Sequence, residues 1–389
     1  MKLLWISSLA WKKDGNYLFP VNNSGAISGS LFEQAMIEAI EEMGHSVDII
    51  NTYPYGDNYN HKGFEWSHNQ KAIDYCIKKK KNKCLNYLSE ICELKKRLKN
   101  NSVKYDCAIA YLIHFPFVKS LSFIKKKNNI KTILICPDLA EMMDLSVSKK
   151  PLKRLLKRIE SFFLKKNYKF VDKYVFFTKH MVERINVFNK PFLFVEGINS
   201  VATMTKYEKK QPPYIVLYAG SLQFHFGLEA ILEAMSFLND DDIELHIYGD
   251  GAMSSIIQEK ACMDSRIKFY GFVEHDVVLS KEKEASLLIN ARDPNESYTR
   301  YSFPSKTFEY IMSGTPFLTT KLPGIPEEYY DFLFLIDDFS PQGIAKAILK
   351  VKYSKEEFIK RRIECGQKFI SESKNKTAQA KKFMSFIGE

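Results

Sequence analysis

Asn290-Ala-Arg-Asp-Pro294, Tyr301-Ser-Phe-Pro-Ser-Lys-Thr-Phe-Glu-Tyr310 and Ser313-Gly-Thr-Pro316 read together as one strand–loop–helix unit. Ala285 to Asn290 is the apolar strand, and a polar loop follows. The helix has Pro304 in its first turn, where a missing N–H costs nothing, and Gly314 at its stop. Arg292, Arg300, Ser302, Ser305 and Lys306 gather around the helix start. Free backbone N–H groups and the positive dipole end favour an anion there, so the pattern predicts a diphosphate site. Glu309, further along the helix, is placed to accept ribose hydroxyls. The alternative from local pattern alone is a basic crossover with no ligand.

Matches in the same order extend the signal. Tyr218-Ala-Gly-Ser-Leu222, then Gly227 and Leu232-Glu-Ala234, read as strand, loop and helix. Leu245-His-Ile-Tyr-Gly-Asp-Gly251 reads as the next strand and turn, and Phe269-Tyr-Gly-Phe-Val273 as a further strand. With the Pro304-to-Pro316 segment, these resemble the bacterial family-4-like glycosyltransferases of the GT-B fold, which build capsular and exopolysaccharides. The resemblance is strong over roughly residues 215–330 and weaker elsewhere.

That resemblance implies an α/β protein with two Rossmann-like domains facing a central cleft. It also implies a final helix crossing back to the first domain. The donor nucleotide would bind the second domain through Gly220, Ser221, Phe272, Val273, Arg292, Arg300, Tyr301, Ser302, Ser305, Lys306 and Glu309. The substrate would be a UDP- or GDP-linked sugar, and the acceptor a hydroxyl of a glycan or lipid-linked glycan. Transfer would retain the anomeric configuration and need neither metal nor other cofactor.

The length of 389 residues suggests two domains, each able to bury a core. A hydrophobic share of 45% and a charged share of 26% are those of a soluble globular protein. No apolar run approaches the ~18 residues that span a bilayer. Met1-Lys-Leu-Leu-Trp-Ile-Ser-Ser8 opens like a signal peptide, but Trp11-Lys-Lys-Asp14 interrupts it, so a first parallel strand is expected. The seven cysteines lack Cys-x-x-Cys spacing, which argues against a disulfide scaffold or zinc site and fits the reducing cytoplasm. Cys76, Cys84 and Cys92 are expected as core residues of a helix. The net charge of +11, with lysine clusters at 78–83, 125–127 and 149–173, favours anionic partners. These clusters lack the aromatic interleaving of single-strand binders, so nucleic acid is not expected.

Strand and helix signals alternate along the first half. Lys2 to Ser7 and Val47 to Ile50 read as strands around a small-residue loop, Asn22 to Gly29, and a helix, Ser30 to Met43. In the resembled family that loop closes over substrate, which puts Gly25 and Ser28 on the acceptor side. Lys71 to Lys99 reads as one long helix. Cys107 to Ile113 and Thr132 to Ile135 read as strands ending at His114 and Asp138, where open parallel sheets place chemistry. The resemblance implies that His114 reaches the transferred sugar. Asp138 either positions an acceptor hydroxyl or caps the next helix.

From Pro151, Leu152, Leu155, Leu156, Ile159, Phe162 and Phe163 fall on one helical face among lysines and arginines. Residues 149–173 therefore suit either an anionic inner-leaflet surface or a core-facing helix. Gln211-Pro-Pro213 marks a linker. The expected domains are 1–205 for the acceptor, 212–371 for the donor, and a helix over 372–389 returning to the first domain.

Asp240-Asp-Asp242 has the Asp-x-Asp form of a metal holder, but its place before a strand reads as a turn. The chain departs from the family pattern in three places. Tyr301 stands where many members carry a first Glu seven residues before the second, and Glu296 is the candidate substitute for that catalytic carboxylate. Ser221 and Phe226 stand where an Arg and a Lys are common, which leaves Arg292, Arg300 and Lys306 to supply the charge. Pro304 removes one N–H from the anion site. These departures keep two alternatives open: a non-catalytic subunit binding a partner transferase or glycan, and a sugar-nucleotide 2-epimerase.

Overall fold

The computed structural model describes residues 1–13, 16–17, 25–52, 63–77, 83–100, 102–139, 151–199 and 204–388. The chain divides into two compact units. The first comprises Met1–Ile198, Tyr301–Phe303 and Lys376–Glu389, and the second Asn199–Arg300 and Pro304–Asn375.

The main sheet of the first unit has, among the described residues, eight strands: β1 (Lys2–Ser7), β2 (Ser46–Asn51), β3 (Phe64–Trp66), β4 (Asp74–Cys76), β5 (Cys107–Tyr111), β6 (Lys131–Cys136), β7 (Lys173–Phe176) and β8 (Phe192–Phe194). Their order in the sheet is β8-β7-β6-β5-β1-β2-β4-β3, parallel except for the edge strand β3. Successive residues of β1 serve opposite faces: Leu4 and Ile6 join one core, Leu3 and Trp5 the other. Burial on both faces explains why these strands read as unbroken apolar runs.

Four helices of this unit are α1 (Gly25–Glu42), α2 (Lys83–Asn100), α3 (Phe115–Asn128) and α4 (Pro151–Asn167); a short α5 (Met181–Ile185) follows β7. α1 begins at Gly25, so Gly25 and Ser28 belong to its first turns and not to the expected loop. Residues 22–24 and the side chains of 25–28 lie outside the described residues.

The expected long helix over 71–99 is instead a strand and a helix. Buried Asp74 accounts for the strand. Its carboxylate accepts the amides of Ile49 (2.8 Å) and His68 (2.7 Å), which pins β4 beside β2. His68 continues the chain, bonding Asp74 at 2.6 Å and Glu41 at 3.2 Å. Burial opposes the charge on His68, but the two carboxylates prevail and raise its pKa to about 9. Cys76 is thus a buried strand residue, and Cys92 is exposed on α2. The side chain of Cys84 lies outside the described residues.

The second unit repeats the architecture with β9 (Tyr214–Ala219), β10 (Ile243–Tyr248), β11 (Ile267–Gly271), β12 (Leu287–Asn290), β13 (Phe317–Thr320) and β14 (Phe334–Ile336). The order β11-β10-β9-β12-β13-β14 is parallel throughout. Its helices are α6 (Leu228–Ala234), α7 (Ser254–Met263), α8 (His275–Glu284), α9 (Lys306–Met312), α10 (Pro341–Lys352) and α11 (Glu356–Ser373).

The last helical stretch breaks at Lys374–Asn375, where Lys374 O accepts from Asn199 N (2.8 Å). The final helix, α12 (Lys376–Gly388), is part of the first unit. Its Ala380, Phe383, Met384 and Ile387 pack in the core that holds Met36 and Ile40 of α1. Lys131 and Lys173, at the starts of β6 and β7, donate to Ile387 O (3.0 Å) and Phe386 O (2.6 Å), which suits the negative end of a helix.

Candidate active site

In the second sheet the chain leaves β9 toward β10 on one side and reaches β12 on the other. The carboxyl ends of β9 and β12 therefore form the topological switch point, where open α/β sheets bind ligands. Two loops meet there, Gly220–Gly227 after β9 and Ala291–Arg300 after β12.

The first loop is held largely through its backbone. Leu222 N donates to Asp250 O (3.0 Å), and Met253 N to Leu222 O (2.9 Å). A Cβ on Gly249 (φ +138°) would lie 1.8 Å from Gly220 O, and one on Gly227 (φ +77°) only 1.6 Å from Ala291 O. Glycine is required at both places by φ and by contact. Gly220 and Ser221 are thus fixed at the strand end.

Arg292 leaves the end of β12 and lies over the Phe226 ring, 4.4 Å from its centroid, with Nε 3.3 Å from Asn290 Oδ1. It meets no carboxylate among the described residues. Thr320 Oγ1 donates to Arg292 O at 2.6 Å and fixes its backbone. Tyr298 Oη donates to His225 O at 2.5 Å and ties the two loops together. Burial and the Arg292 charge pull His225 below its ordinary pKa, so it adds no competing cation at neutral pH.

Helix α9 is shorter than the sequence pattern suggests. It starts at Lys306, after Ser305, whose exposed side chain does not cap it. Pro304 precedes the first turn and accepts from Thr307 N at 3.0 Å, so its missing N–H takes nothing from the helix start. Gly314 ends the segment at φ +81°. Buried Tyr310 accepts Ala219 N at 3.0 Å and bonds Ala219 O at 3.2 Å, which docks α9 on the end of β9.

Lys306 is committed inside the protein. Its Nζ lies 2.6 Å from Glu309 Oε2 and 3.5 Å from Glu282 Oε1. His275 Nε2 donates to the other oxygen of Glu309 at 3.2 Å. Burial would raise the Glu309 pKa, but His275 and Lys306 outweigh it and hold the carboxyl well down, so it stays ionised. Burial pushes fully buried Glu282 the other way, against the pull of Lys306. One lysine thus serves mainly one carboxylate, and Glu309 is locked with spare lone pairs.

His275 and Glu282 escaped the sequence reading. They lie two turns apart on one face of α8, just after β11, and that spacing was the available signal. Phe272, ahead of α8, is 62% exposed, and Val273 is half-buried.

The remaining expected residues are more scattered. Arg300 and Glu296 have exposed side chains. Glu296 acts through its backbone, where its carbonyl accepts Thr299 Oγ1 at 2.7 Å. Tyr301 and Ser302 fall in the first unit, and Arg184 lies over the Tyr301 ring at 5.6 Å. His114 follows β5 and is paired with buried Glu90 at 3.2 Å, with Phe117 edge-on at 4.8 Å. Asp138 follows β6 and is half-buried; the segment 140–150 beyond it lies outside the described residues. Asp240 and Asp242 sit at the opposite, amino end of β10. Lys352 bonds both, at 2.8 and 2.6 Å, and the hydroxyl of Tyr353 bonds Asp240. The Asp-x-Asp is a lysine-filled turn.

Residues 213–352 match the family of glycosyl transferases group 1. The chain is a glycosyltransferase with the GT-B fold. Sucrose-phosphate synthase from Thermosynechococcus elongatus superposes with a TM-score of 0.72 at 13% identity, over 99% of this chain and 98% of its own. The lipopolysaccharide outer core galactosyltransferase WaaB does so at 0.62 and 14%, over 100% and 99%. Anabaena HepE, in complex with UDP, gives 0.61 and 11%, over 99% and 100%. At such identities the likeness establishes the fold of the glycosyltransferase. No curated protein matches its sequence.

Proposed function

We propose that this enzyme moves a sugar from a UDP- or GDP-sugar to a hydroxyl of a glycan or lipid-linked glycan, with retention and without a metal, in polysaccharide biosynthesis at the cytoplasmic face. One observation carries the proposal: Arg292, free of carboxylates among the described residues, and Glu309, locked by Lys306 and His275, both stand by the switch point of the second sheet. Arg292 would clamp the departing diphosphate with the planar fork of its guanidinium, which a lysine lacks. Glu309 would accept ribose hydroxyls, and the exposed Phe272 ring would lie against the base. UDP bound to Anabaena HepE supports a uridine donor. On the acceptor side, the proposal keeps His114 and Asp138 at the strand ends of the first sheet, with Gly25 and Ser28 in α1.

Purified protein incubated with UDP- and GDP-sugars and a lipid-linked glycan tests this. The expected result is transfer with the donor's anomeric configuration by proton NMR, unchanged by EDTA and lost in Arg292→Ala. Inverted product, EDTA-sensitive transfer, or full activity of Arg292→Ala overturns it.

Contact with an anionic inner leaflet belongs to the same proposal. No described helix is long and apolar enough to cross a membrane. In α4, Ile159, Phe162 and Phe163 are 45–54% exposed, beside exposed Arg158, Lys165 and Lys166, while Leu164 is buried. The described part of the apolar stripe thus faces away from the core. Phosphatidylglycerol vesicles should retain the protein and release Phe162→Ser/Phe163→Ser; equal retention of both would exclude this role.

A further inference from the structure

A cavity of about 270 Å³ opens in the first unit, at the end of the sheet opposite to His114 and Asp138. It lies between the last turns of α2 and α3, over Leu4 of β1 and the residues that lead into β5 and β6. Leu98, Val103, Phe123, Ile124 and Ile130 make its walls apolar. Lys95, Lys99, Lys126 and Lys127 ring it. Lys127 is committed to the end of α2, donating to Leu98 O (3.2 Å) and Lys99 O (2.9 Å). Lys95 and Lys119 both stand over Phe123, at 5.4 and 5.3 Å.

The local charge is positive even after the helix ends are counted. Two helix carboxyl ends bring about −0.5 each, against five lysines. The acids of the adjoining strands are engaged elsewhere: Asp48 by Tyr105 (2.8 Å) and Lys2 (3.1 Å), Asp172 by Lys125 (2.8 Å). Burial first, and then the charges of Lys126 and Lys95, pull Lys119 below its ordinary pKa.

An apolar hole with a cationic rim fits neither a free sugar nor a nucleotide. Its volume is just under the ~300 Å³ lower bound of drug-sized pockets, so it suits one hydrocarbon segment. We propose that this cavity binds a single-chain amphipathic anion, with the chain inside and a carboxylate or phosphate head on Lys95, Lys99 and Lys126.

Calorimetry of the full chain with decanoate, decyl phosphate, decanol and inorganic phosphate tests it. At least one of the two amphiphilic anions should bind one per chain, and the tighter of them identifies the head group. Decanol should bind about tenfold more weakly or worse, and inorganic phosphate not measurably. Lys95→Glu/Lys99→Glu/Lys126→Glu, on exposed positions, should keep the wild-type unfolding midpoint and weaken the anion about tenfold or more, which is 1.4 kcal/mol or more. Val103→Trp should fill the hole and abolish binding; if it fails to fold, the lysine variant decides. Failure of both anions to bind, decanol binding as well as the anions, or unaltered binding in the lysine variant overturns the proposal.

Discussion

Lys306 and Glu309, one turn apart on α9, are joined at 2.6 Å, and this pair changes the part that the lysine plays. A cation held between Glu309 and Glu282 is spent on orienting a carboxylate. On the function proposed above, the diphosphate would then depend on Arg292.

Lys306→Ala should therefore act on stability first. It leaves Glu309 and the buried Glu282 without their shared partner, and breaking such a pair costs about 2–4 kcal/mol at partial exposure. Adding Glu282→Gln should restore part of the loss. Urea unfolding of the single and double variants checks both, and a lysine serving only as a ligand would leave the midpoints unchanged.

Arg292→Ala should weaken nucleotide binding by about 1.5–3 kcal/mol with little change in unfolding. Arg292→Lys should recover less than half of that, because an ammonium has no fork. Phe226→Ala, which removes only the ring under the guanidinium, should cost about 0.5–1 kcal/mol. Calorimetry with UDP and GDP gives all of these directly.

Gly227→Ala and Gly249→Ala should each destabilise by more than about 2 kcal/mol, since the new Cβ meets a carbonyl well inside contact distance and φ is positive. Gly44→Ala is the control: φ is +85°, yet nothing lies within 4 Å, so only the backbone cost of about 1 kcal/mol applies. Equal losses at all three would refute the contact argument.

Alkaline pH should loosen the first unit. Buried Glu33 accepts from Trp5 Nε1 at 2.6 Å, and burial raises its pKa to about 8. A carboxyl raised on folding binds more protons folded than unfolded, so stability falls as pH climbs from about 4.5 to 8. His68, raised to about 9, is fully stabilising below about 6.5 and loses its share as pH rises through 9. Glu33→Gln keeps the indole bond and should gain about 2–4 kcal/mol over wild type at pH 8.5, with little difference at pH 4.5. Melting curves across that range give the answer.

Much of the second unit was legible. The strands at 214–219, 243–248 and 287–290 are apolar runs closed by glycine or polar turns, and Gly314 marked its helix stop. Asp240-Asp-Asp242 also read correctly as a turn, because its neighbours are those of a strand entry. What misled was local pattern without partners. The lysines after Ile77 look like one face of a helix begun at Lys71, yet Asp74 bonding to Ile49 and His68 makes that start a strand. The period of Phe162 and Phe163 suited a core or an anionic surface equally, and only the fold shows them exposed, with Leu164 facing inward.

Periodicity, turn residues and the spacing from Pro304 to Pro316 were enough to specify two Rossmann-like halves and the loops that end their strands, because those depend on neighbours within a few residues. Which charges remain available could only come from the folded protein. Glu282 and His275 reach the α9 helix from α8, and a lysine seen alone in the chain cannot reveal that a buried carboxylate on another helix shares it with Glu309, one turn along its own.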